Sequence, residues 1–120
     1  MSGKKRKVVS RLLPVTRSVR RLSETGWVAD IAERKIGKLS RDWCNFADII
    51  AIRNGHGLMP RVKMVQATGW TNVSSRLRKV RESQDAMRCI MAGCDVEVWG
   101  WDRCKAEPRV VVVQLDDFDL

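Results

Sequence analysis

Residues 46–52 read Phe-Ala-Asp-Ile-Ile-Ala-Ile, an almost unbroken apolar run interrupted by a single acid, Asp48. A run of this length without polar alternation has no face to give to water, so it suits a buried central strand. The residues after it, Arg53-Asn54-Gly55-His56-Gly57, are dense in turn formers, and Val62–Thr68 (VKMVQAT) then fits a hairpin partner. Two adjacent strands follow.

The flanking segments supply the cover. From Pro14 the pattern turns helical, with Val15, Val19 and Leu22 on one side, Arg17, Arg20, Arg21 and Glu24 on the others, and Gly26 as the stop. Trp27–Glu33 (WVADIAE) reads as a first strand of imperfect alternation, and Gly37, Lys38 and Ser40 break it off. After Gly69, Asn72 caps one long helix that runs to Gly93, with Val73, Leu77, Val80, Met87 and Met91 as the buried stripe and Arg76, Arg78, Lys79 and Arg81 exposed. Val96–Trp101 (VEVWGW) and Arg109–Leu115 (RVVVVQL) complete the pattern as strands. The expected class is therefore α/β: a mixed sheet in the order α-β-β-β-α-β-β, with helices packed on the sheet. Residues 1–12 form a flexible basic arm, 13–116 a single domain, and 117–120 an acidic, frayed tail.

Charge narrows the function. The chain carries a net +9, and Lys4, Lys5, Arg6, Lys7, Arg11, Arg17, Arg20 and Arg21 all precede the first acid, Glu24. A basic face can serve solubility alone, but acids do not intersperse with these bases as they do on an ordinary solvated face. Nucleic acid is the better partner, held by counterion release at its phosphates. No stretch is long and apolar enough to span a bilayer and no signal peptide is seen, so the expected compartment is the cytoplasm of a bacterial or phage-infected cell, or the nucleus in a eukaryote. The cysteines, Cys44, Cys89, Cys94 and Cys104, lack zinc-knuckle spacing, which predicts free, mostly buried thiols and no zinc.

Asp48 is the residue that asks for chemistry, because an ionised carboxylate within an apolar strand is costly unless something positive meets it. A strand-end carboxylate paired with an arginine would satisfy this. So would a divalent-cation ligand at the sheet edge, with Gln66 reaching the same spot from the neighbouring strand. His56, the only histidine, reads as a solvent-exposed turn residue. Of the five tryptophans, most belong to the core of a chain without tyrosine. Trp70, in a loop before the basic helix, is the best placed to stack on a base, and Trp43 comes second.

The stretch Arg41–Ile52 (RDWCNFADIIAI), followed by Met64–Thr68 (MVQAT) and Asn72–Lys79 (NVSSRLRK), resembles small phage and bacterial members of the PD-(D/E)XK nuclease superfamily, similar to Holliday-junction resolvases and the restriction-endonuclease core. The resemblance covers roughly residues 15–115. It implies a restriction-endonuclease-like domain and a metal-dependent endonuclease acting on DNA, branched or structured, alone or as a homodimer. Asp48 would stand for the motif's aspartate and bind Mg²⁺ or Mn²⁺, and Gln66 would take the place of the acidic residue. Glu33 or Glu24 would supply a further carboxylate, and Asp42 would aid the metal or orient the loop. The motif's lysine falls on Thr68, which cannot neutralise charge, so Arg76 and Lys79 would hold the scissile phosphate. Arg17, Arg20, Arg21, Arg78, Trp70 and the arm residues Lys4, Lys5, Arg6 and Lys7 would hold the flanking nucleic acid. A DNA-binding or inhibitory protein that keeps the fold and has lost the reaction is the alternative.

Overall fold

The computed structural model describes residues 7–32, 34–36, 39–41, 46–55, 57 and 59–118. Helix α1 (Pro14–Glu24) starts where proline's fixed φ suits the first turn, and it gives way at Gly26, whose φ of +90° strains any L side chain. Strand β1 (Val28–Ile31) follows, then a small separate hairpin of β2 (Arg34–Ile36) and β3 (Leu39–Arg41). Next come β4 (Ile49–Asn54) and β5 (Pro60–Gly69), a turn of 3-10 helix at Trp70–Asn72, helices α2 (Val73–Arg81) and α3 (Gln84–Met91), and strands β6 (Asp95–Trp101) and β7 (Arg109–Val113).

The main sheet runs β1-β4-β5-β6-β7. Its neighbours are antiparallel except β5 and β6, which are parallel because α2 and α3 carry the chain back across the sheet between them. The fold is thus the expected mixed α/β sheet with helices packed on it. Alternation along β5 and β6 splits their side chains between two cores. Val65, Ala67, Trp99 and Trp101 join Leu22 and Trp27 under α1, whereas Met64, Val96 and Val98 join Val73, Leu77, Val80 and Ala86 under α2 and α3. Burial on both faces explains why these strands read as nearly continuous apolar runs.

Several expectations are corrected. The long helix is two: the chain breaks at Glu82 and Ser83, whose hydroxyl caps α3 by accepting from the Ala86 amide, so the stripe does not continue in register. Ala86 is buried in its place, and Met91 is 66% exposed. The first strand stops at Ile31, and Ser40, read as a breaker, lies in β3. Residues of the arm and the tail are also tied to the domain. The amides of Val9 and Ser10 both donate to the Arg103 carbonyl, while Gln114 and Asp117 cap a turn that lets Phe118 pack on the core. Cys94 and Cys104 are free thiols but only half-buried, Cys89 is half-buried too, and Cys44 lies outside the described residues. No helix among the described residues is long and apolar enough to cross a membrane.

Candidate functional site

Asp48 stands immediately before β4 rather than within it, and its main chain is already shared by two neighbours. Its amide donates to the Val65 carbonyl at 2.9 Å, and its carbonyl accepts from the Ala32 amide at 2.7 Å. Since Ile49 pairs with Val65, one step back sets Asp48 opposite Gln66. The two side chains meet: Gln66 Nε2 donates to Asp48 Oδ2 at 2.6 Å, and the Ala67 amide donates to the same oxygen at 2.8 Å. Asp48 is 8% exposed and Gln66 3%. The other end of the amide, Gln66 Oε1, is buried without a hydrogen-bond partner. Thr68, two residues along β5, is buried as well. The strand-end carboxylate therefore has an amide as its side-chain donor, and the spot shared with the neighbouring strand is real.

Helix α2 lies over this face of the sheet. Its buried line is Val73, Leu77 and Val80, and the helical repeat sets Arg76 and Lys79 on one flank and Arg78 and Arg81 on the other. Arg78 and Arg81 line a groove of about 710 Å³ shared with Gln84, Met87 and Phe118. Arg76 and Lys79 therefore face away from the carboxyl-terminal tail. The helix itself contains no acid, while Glu82 at its C-cap and Asp117 line the groove beside Arg78 and Arg81.

The α1 face holds a second charged cluster, which sequence reading missed. Lys63 and Glu97 form a largely buried pair at 3.3 Å, and Trp99 Nε1 donates to Glu97 Oε1 at 2.9 Å. Trp27 collects cations above its ring, with Arg53 at 4.4 Å, Lys63 at 4.6 Å and Arg61 at 5.9 Å from the centroid. The available signal was charge within the runs VKMVQAT and VEVWGW, one residue out of phase with Gln66. That phase places Glu97 across the sheet from Asp48, so it adds no carboxylate to that site.

The remaining expected residues scatter. Arg17, read as surface, is buried: its guanidinium donates to the carbonyls of Asp102 at 2.9 Å and Lys105 at 2.7 Å and lies 4.2 Å from the Trp101 ring centroid. Burial, with the nearby Arg21 charge, lowers its pKa against the opposing pull of Asp102. Arg21 pairs with Glu107, and this hydrogen bond raises the Arg21 pKa and holds the Glu107 carboxyl below its ordinary value. Glu24 is turned toward Arg21 at 3.9 Å, on the helix covering the opposite face from Asp48. Arg20 and Lys7 are exposed, and Trp70 is half-buried with Lys105 Nζ 4.1 Å above its ring. Lys4, Lys5, Arg6, Glu33, Asp42, Trp43 and His56 lie outside the described residues.

Could the Asp48 site hold a divalent cation? Among the described residues no three His, Cys, Asp or Glu side chains gather. What stands there is one carboxylate beside one orphaned amide oxygen, both hard donors. Mg²⁺ is commonly held by one or two carboxylates, with water and substrate phosphate completing its shell, so these donors suit that ion in kind, with the amide turned to bring Oε1 to the carboxylate's side. Compared with known proteins, the chain matches no family model, no curated protein and no solved structure.

Proposed function

We propose that this is a DNA-binding protein of the restriction-endonuclease-like kind that hydrolyses phosphodiesters in branched or structured DNA at Asp48, with Mg²⁺ or Mn²⁺. One observation carries the reading: an acid immediately before β4 and an amide from β5 meet, with a 2.6 Å hydrogen bond, on the sheet face beneath a helix that bears four bases and no acid. Asp48 and Gln66 Oε1 are the groups that would hold the cation. When bound, the ion neutralises charge gathering on the phosphate in the transition state. Arg76 and Lys79 take the place of the missing motif lysine by holding the phosphate from the flank of α2, while Thr68 contributes no charge. Arg20, Arg78 and Lys7 grip the flanking backbone, and Trp70 is available to a base.

A second reading, binding without hydrolysis, has its own support. Gln66 turns its nitrogen rather than its oxygen toward Asp48, so the amide serves the carboxylate as a donor and not as a fellow metal ligand. One experiment separates the two: wild type and Asp48→Ala with Mg²⁺ or Mn²⁺ on linear, single-stranded and four-way-junction DNA. Cleavage that disappears in Asp48→Ala carries the first reading, whereas retained binding without cleavage in either protein carries the second. A salt-independent affinity removes nucleic acid from both.

A further inference from the structure

At the carboxyl ends of the parallel strands β5 and β6, the segment leading into α1 crosses in front of Gly69 and Trp101 and closes a hollow of about 190 Å³. Ligands of open α/β sheets settle in this region, just beyond the carboxyl ends of parallel strands. Among the described residues the charged groups lining it are Arg11, Arg17 and Arg103, and no acid lines it. Arg20, Arg21 and Glu24 line an adjoining hollow that shares Arg17 and Trp101.

Arg17 is the group that calls for a ligand. It is 8% exposed, and two of its five N–H donors go to neutral carbonyls, with an indole against its flat face. The charges acting on it are Arg21 and, in opposition, Asp102, whose carboxylate also accepts the Cys104 amide at 2.8 Å, and Arg11 and Arg103 share its hollow. Among the described residues, neither Arg11 nor Arg103 has a carboxylate within ion-pair distance. Three guanidinium groups share this one hollow, and the Asp102 carboxylate acting on Arg17 only partly offsets their mutual repulsion, so an anion entering the hollow is favoured.

We propose that this hollow binds a phosphate dianion presented by the end of a nucleic-acid strand, with Arg11, Arg17 and Arg103 meeting its oxygens. The inference rests on the nucleic-acid reading above and specifies which part of the strand docks here. The hollow is smaller than the roughly 300–1,000 Å³ pockets that enclose whole small molecules, so it fits a tetrahedral oxyanion rather than a nucleoside. It is backed by Gly69 and Trp101, and a strand end enters so small a hollow more readily than a continuous strand does. A dianion also gains more from three guanidinium groups than an internal diester's single charge does.

The test is fluorescence anisotropy of the full chain with duplexes identical except for a 5′-phosphate, a 3′-phosphate, or hydroxyls at both ends. Inorganic phosphate serves as competitor and, by calorimetry, as a ligand alone. One phosphorylated end should bind on the order of tenfold tighter than the hydroxyl duplex. Arg11→Ala and Arg103→Ala should each erase most of that preference while the affinity for the hydroxyl duplex stays within about twofold. Thermal melts of both variants establish that they are folded. Equal affinity for all three duplexes, with no competition by phosphate, overturns the proposal and leaves general DNA binding standing. Binding of inorganic phosphate that depends on Arg11 and Arg103, with no duplex bound, keeps the hollow as a phosphate site and removes nucleic acid as its source.

Discussion

Replacing Asp48 separates what this residue does for the fold from what it does for chemistry. Two of its hydrogen bonds end on one oxygen, Oδ2, so Asp48→Asn can keep its carbonyl oxygen there and go on accepting from Gln66 Nε2 and the Ala67 amide. The loss is the charge assistance, about 1 kcal/mol in total for two bonds that weaken toward neutral strength. Asp48→Ala removes the acceptor and leaves two N–H groups buried with nothing to meet, each at about 1–3 kcal/mol, so about 2–6 kcal/mol is lost. Domains hold only about 5–15 kcal/mol in all, which makes this a large share. Urea titration with an unchanged slope should place the Asn midpoint close to wild type and the Ala midpoint about 1 M or more lower. Both variants should lose any metal-dependent cleavage, since a neutral amide is a poor substitute for a carboxylate on Mg²⁺. An Ala variant within about 0.5 kcal/mol of wild type would refute the reasoning, because the two donors could not then depend on this oxygen.

Other outcomes follow from the same geometry. Gly100→Ala places a methyl 2.2 Å from Val73 Cγ2, under the first turn of α2, and should cost about 1–3 kcal/mol in a thermal or chemical melt. Ser83→Ala removes the only side-chain cap seen at the start of α3 and should cost about 1 kcal/mol, read the same way. DNA affinity should fall linearly on a log–log plot against salt, and Arg76→Ala with Lys79→Ala should make that slope shallower by about two phosphate contacts. Burial, with the Asp95 charge, raises the Cys94 pKa, so its thiolate fraction at pH 8 is lower than that of an ordinary cysteine. Its alkylation should therefore run slower there and accelerate as the pH rises, as peptide mass mapping can follow.

How much of this was legible beforehand depended on the range of the interactions involved. The hairpin of β4 and β5 and the meeting of Asp48 with Gln66 were readable, because adjacent apolar runs joined by Asn54 and Gly55 pair antiparallel and fix which residues oppose. The split between α2 and α3 was not, since Ser83 is an ordinary residue in a helical pattern until its hydroxyl finds the Ala86 amide. Arg17 was read as surface because its partners, the carbonyls of Asp102 and Lys105, are more than eighty residues away and are main-chain atoms that no side-chain pattern reveals. Lys63 and Glu97 escaped for a related reason. Their pairing requires the parallel register of β5 and β6, which the intervening helices set.

The peptide of Asp48 has a consequence for how such a protein can change over generations. With its amide held by β5, its carbonyl by Ala32 just beyond β1 and its Oδ2 by Gln66 and Ala67, this residue is fixed at main chain and side chain alike. The carboxylate inherits the stiffness of the lattice around it, whereas surface loops answer to few such constraints. Mutations in those loops can reshape what approaches the acid, and so alter which ligands are accepted, without displacing the atom they approach.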